Sequence, residues 1–121
     1  MATENDRILR AVDSLSRTGL LVRESVEHRA ELRVDGAGYR CLPAFWEAVG
    51  AVAPGAAGFD QQMVSLRDPF VRANLHHRVM AEFLVAGAPL WWCNEAAEST
   101  LAGLRGAGEA GGLPRDFQAA G

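Results

Sequence analysis

Val26-Glu27-His28-Arg29-Ala30-Glu31-Leu32-Arg33-Val34-Asp35 is the stretch on which the fold turns. Val26, His28, Ala30, Leu32 and Val34 alternate with five charged residues, the period-two pattern of a strand with one face in water. Val22, Val26, Ala30 and Val34 also recur every four residues, a spacing that a helix would use. The next residues, Asp35-Gly36-Ala37-Gly38, tip the balance toward a strand, because Asp and Gly supply the positive-φ positions of a tight hairpin. Tyr39 to Leu42 then reads as the return strand, and Leu20 to Arg23 as a possible third.

Upstream, Asp6 to Thr18 has the 3/4 spacing of an amphipathic helix. Ile8, Ala11, Val12 and Leu15 lie on one face, and the acid-first pairs Asp6–Arg10 and Asp13–Arg17 on the other. Downstream, Pro43 opens a short helix reaching about Ala53, followed by the loop Pro54-Gly55-Ala56-Ala57-Gly58 and a short helix over Asp60 to Leu66. Asp68-Pro69 is a cap followed by proline at the first helical position, opening a long helix that ends at Ala86. A last helix is expected from an Asn94 cap to about Arg105.

The element order predicts an α+β fold: an N-terminal helix, a two- or three-stranded antiparallel hairpin sheet, then three or four helices packed on one face. So small a sheet needs helices to cover its apolar side, and the first and the long helix are the expected cover. The expected core adds Ile8, Val12, Leu15, Phe45, Val49, Leu75, Val79 and Phe83 to the strand's apolar face. Residues 1–105 make one globular domain, and the Gly- and Ala-rich residues 106–121 read as a flexible tail.

At 121 residues and 49% hydrophobic composition, the chain has enough apolar material for one core without staples. The net charge of −3 argues against a nucleic-acid partner, and the hairpin arginines are matched by acids. All twelve basic residues are Arg, a usage that fits a GC-rich bacterial or phage genome. The longest uncharged apolar stretch, Leu84 to Cys93, is about half a membrane span, and the first residues lack a signal-peptide pattern, so a cytoplasmic protein is expected.

Chemistry concentrates on the long helix. Asn74, Arg78 and Glu82 form a narrow polar stripe, and Phe70, Val71, Leu75, Val79, Met80, Phe83 and Leu84 cover most of the rest. Arg72 and His76, four residues apart, interrupt the apolar arc, with His77 on its flank. Buried polar groups there need partners. Arg72, His76 and His77 therefore form the candidate site for a small anionic ligand. The alternatives are that Arg72 reaches the rim while His76 bonds a backbone carbonyl, or that the arc meets another subunit. Leu90-Trp91-Trp92 is an aromatic knot suited to core or to interface; with Met80 and Leu84, Trp91 and Trp92 form the candidate partner surface.

No catalytic motif is present. The metal-capable residues His28, His76, His77, Cys41 and Cys93 lack ligand spacing, and Cys93 with a histidine is the only nucleophilic pairing available. No metal, cofactor or catalytic residue is assigned. The sequence points to an accessory protein acting through protein–protein contacts or self-association, with a ligand-binding protein or minor enzyme as the alternative.

Overall fold

A computed structural model of the chain describes residues 3–24 and 30–112, with side chains as far as Gly106. Helix α1 spans Glu4–Arg17. Strands β1 (Leu21–Arg23), β2 (Leu32–Val34) and β3 (Ala37–Cys41) follow, then helices α2 (Pro43–Ala48), α3 (Phe59–Ser65), α4 (Pro69–Val85) and α5 (Leu90–Gly112). The sheet is antiparallel in the order β1-β3-β2. This is the expected α+β architecture, with three strands and four later helices among the described residues.

The start of α1 is set by a reciprocal cap: Thr3 Oγ1 accepts the Asp6 N–H, and Asp6 Oδ2 accepts the Thr3 N–H, both at 3.1 Å. Asp6 is thus first a capping residue; the Arg10 charge acts on it without a close ion pair, while Asp13 and Arg17 do pair, at 3.4 Å on the surface. Ile8, Ala11, Val12 and Leu15 are buried as their spacing requires.

The hairpin forms where Asp-Gly allows it. Asp35 and Gly36 have φ of 53° and 79°, the two positive values of a type I′ turn, and Val34 pairs with Ala37 across it. β1 then adds to the far side of β3, Leu21 facing Cys41. The helical alternative for residues 22–34 fails at both described ends, each of which is a strand. Of the alternating stretch, Val26 and His28 lie outside the described residues, Ala30 is half-buried, and Leu32 and Val34 are core.

Three helix boundaries differ by more than two residues from those expected, and β2 begins only at Leu32, with the described Ala30 and Glu31 of the alternating run outside the strand. α2 ends at Ala48 instead of Ala53, because Gly50 takes φ 73° and turns the chain out of the helix. α5 begins at Leu90 instead of Asn94: the Cys93 N–H donates to Pro89 O, so Leu-Trp-Trp is the first turn of a helix and not a connection. Its backbone also continues beyond Arg105 to Gly112.

The cover of the sheet differs as well. α1 packs on β1, but α5, not the long helix α4, packs on β2; α4 lies against α5. Small residues let α5 come this close. Ala96 and Ala97 are fully buried, and a Cβ on Gly103 would stand 2.7 Å from the backbone oxygen of Glu31. Ser99 Oγ accepts the Arg33 N–H at 2.8 Å, tying β2 to the helix, and buried Thr100 returns its hydroxyl to Ala96 O at 2.8 Å. Every one of the eight helical core residues expected above is buried, joined by Leu21, Tyr39, Trp46, Phe59, Trp92 and Leu104.

Two glycines on α5 give opposite expectations. Gly103→Ala destabilises the protein by about 1–3 kcal/mol, since backbone must move to admit the methyl group. Gly106→Ala has nothing within 4 Å and stabilises it by about 0.4–1 kcal/mol. Urea unfolding of the two variants beside wild type checks both signs.

Candidate functional site

Helices α3, α4 and α5 enclose an open cleft of about 1040 Å³. Each contributes one face at helical spacing. From α3 and its exit come Asp60, Met63, Val64 and Arg67; from α4, Pro69, Arg72, Ala73 and His76; from α5, Glu98, Leu101, Ala102 and Arg105. All three sets follow i, i+3, i+4, i+7, so each is a continuous stripe facing the same space.

The elements are pinned locally. Buried Phe59 anchors α3. The Gln62 amide pairs with both backbone groups of Val52, accepting its N–H at 2.7 Å and donating to its carbonyl at 2.8 Å, which fixes the preceding loop to α3. At the α3–α4 corner, Asp68 Oδ1 accepts the Phe70 N–H at 2.8 Å as the α4 cap.

Arg72, His76 and His77, singled out from the sequence, all line this cleft. Arg72 does not bond His76: its guanidinium donates to Leu66 O at 3.4 Å, across the corner. His76 is half-buried and His77 exposed, with ring centroids 6.2 Å apart and planes at 89°. The cleft also gathers Arg67 and Arg105, which sequence reading missed. Their only signal is membership in the 60/63/64/67 and 98/101/102/105 stripes, and that becomes meaningful once α3 is known to sit over α5. Three arginines face two carboxylates, Asp60 and Glu98, so the cleft is locally basic on a chain of net charge −3. Among the described residues none of these three arginines is in an ion pair.

The candidate partner residues divide. Trp92 is 1% exposed, edge-on to Phe83 at 5.1 Å and to Tyr39 at 5.9 Å; it is core and not available to a partner. Trp91, the next residue, is 40% exposed, Leu84 is 44% exposed, and Met80 is half-buried against the core. Helix spacing places these with the cleft. Ala73, His77, Met80 and Leu84 step by four, three and four along α4, and Trp91, Asn94, Glu98, Ala102 and Arg105 step by three, four, four and three along α5. Phe83 meets Trp92 at one end while Pro69 and Arg105 share the cleft at the other, so the helices run antiparallel and the two rows extend side by side. Apart from buried Trp92, the candidate ligand and partner residues thus lie along one pair of helix rows, mainly apolar near the α4–α5 turn and basic beneath α3.

Both cysteines are buried and free. Cys93 Sγ lies 3.6 Å from Ala88 O, and burial pushes its thiol up to about 11 despite its place near a helix N-terminus. Burial, with the Glu31 charge second, raises Cys41 further. Neither thiol is poised as a nucleophile. Among the described residues no group of three His, Cys, Asp or Glu side chains is placed to hold a metal, and no helix is long and apolar enough to cross a membrane. No protein-family model, curated protein or solved structure matches the chain.

The thiols set an alkaline limit. Their folded values lie above the ordinary 9.0, as burial also raises Tyr39, so their contribution to stability is complete below pH 9.0 and is lost as pH rises toward the folded values. Urea midpoints are expected to fall above about pH 9, with a shallower fall for Cys93→Ala. An unchanged slope in that variant would remove Cys93 from the account.

Proposed function

We propose that the chain is a small accessory or interaction protein of a bacterial or phage cytoplasm that binds another polypeptide through its α4–α5 face, as part of an oligomer or a complex. One observation carries this reading: within eight residues around the α4–α5 turn, Leu84 (44%), Val85 (87%), Leu90 (63%) and Trp91 (40%) all stand in solvent. A run of large apolar side chains beside a cleft is what a binding surface needs, and a half-exposed Trp is the type of residue that dominates interface energetics. The two free thiols fit a reducing compartment.

A second reading is favoured by the cleft itself. Arg72, His76 and His77 converge in a concave site at the upper end of small-molecule dimensions. In that reading the protein binds a small anion, or acts on one as a minor enzyme.

Native mass spectrometry of the full chain separates the two, with Leu84→Glu/Trp91→Glu as the comparison. The expected result is an oligomer or a stoichiometric complex for the wild type, reduced to monomer in the variant, with the circular dichroism of the two proteins alike. A monomer carrying a small-molecule adduct favours the second reading. A complex that survives the double substitution moves the interface elsewhere.

A further inference from the structure

We infer that the partner seated in the cleft is an acidic amphipathic helix of another protein. This rests on the polypeptide-binding reading above and specifies its ligand.

Shape comes first. Three helical stripes surround an open trough, and a fourth helix laid along it would close a small bundle by the ridge-into-groove packing that helices use. Facing positions of α4 and α5 are Ala73 and Ala102, which leave width for side chains from an incoming helix about 10 Å across. From Pro69 to Leu84 the α4 row is about 22 Å long, matching about fifteen residues of such a helix. The trough is larger and more open than an enclosing site for a small anion would be.

Charge then sets the chemistry. Arg67, Arg72 and Arg105 stand at the end covered by α3, without ion-pair partners among the described residues, while the chain as a whole is acidic. Beyond the trough lining, the same rows of α4 and α5 continue to exposed Leu84 and Trp91, with Asn94 beside them, so that stretch is mainly apolar. Asp60 and Glu98, also in the trough, disfavour a ligand that is negative all round, nucleic acid included. A helix with one apolar face and carboxylates concentrated toward one end satisfies both ends at once, in the helix-in-groove mode of peptide recognition.

The test uses synthetic helices of about eighteen residues with a Leu face and a Glu-rich end, and the same peptides with Lys in place of Glu. Fluorescence anisotropy against the full chain is expected to show binding of the Glu peptide that weakens with salt, and none of the Lys peptide. Arg105→Glu is the first variant, since Arg105 makes no hydrogen bond or ion pair among the described residues. It should weaken the Glu peptide about tenfold and admit the Lys peptide. Arg72→Glu should act in the same direction if its circular dichroism is that of wild type. Equal binding of the two peptides, or indifference to Arg105→Glu, overturns the inference. So does binding of inorganic phosphate or benzoate in the cleft when the Glu peptide fails to bind. A native complex sensitive to Leu84→Glu/Trp91→Glu, alongside failure of the Glu peptide, would leave the polypeptide-binding reading standing and remove only the acidic helix.

Discussion

A file of aromatic rings ties the layers together. Tyr39 of β3 meets Trp92 of α5 at 5.9 Å, Trp92 meets Phe83 of α4 at 5.1 Å, Phe83 meets Phe45 of α2 at 5.8 Å, and Phe45 meets Trp46 at 5.4 Å. Most of these contacts are edge-to-face, the arrangement that ring quadrupoles favour, each adding about 0.5–1.5 kcal/mol beyond area burial. The geometric consequence matters more. Trp92 sits between the sheet and α4, so α5 must be the middle layer. With α5 in the middle, α4 is held off the sheet and keeps only a narrow buried stripe, Leu75, Val79 and Phe83.

The site follows from that placement. An α4 laid on the sheet would spend its wide apolar arc on core packing. As an outer helix it has surplus apolar surface: Phe70 is 82% exposed and Val85 87%. The cleft exists because the short α3 crosses near one end of the α4–α5 pair and leaves the other end uncovered. The division into a basic covered end and an apolar open end is therefore a product of one packing choice, the insertion of Trp92 between Tyr39 and Phe83.

Local periodicity made much of this legible. The spacing of Ile8, Val12 and Leu15, and of Leu75, Val79 and Phe83, records which face is buried whatever the partner is, and Asp35-Gly36 records a turn because few other residues accept two positive φ values. Arg72, His76 and His77 stood out because they interrupt an apolar arc, and they do share one cleft. What stayed hidden depends on tertiary choice. Pro89 before Leu-Trp-Trp looks like a break in the chain and acts as the start of α5. Ala96, Ala97 and Gly103 carry almost no periodic signal, yet their smallness brings α5 onto β2. Arg67 and Arg105 are ordinary surface arginines until α3 is placed above α5.

The same dependence explains why the candidate site need not cost the fold its stability. Arg67, Arg72 and Arg105 are exposed, so their charges keep most of their hydration and incur little of the desolvation that a buried cation would. The half-buried groups of the cleft are mainly apolar, Met63, Leu66 and Leu101, which contribute to packing from below. Core and cleft thus occupy different arcs of the same helices, and an exchange of one cleft charge alters the proposed binding surface without first acting on the core. Glu98 and Arg105 stand on one side of α5 while Ala96, Thr100 and Leu104 are buried on the other. A helix built this way can change its exposed side chains while the aromatic file behind it keeps the fold.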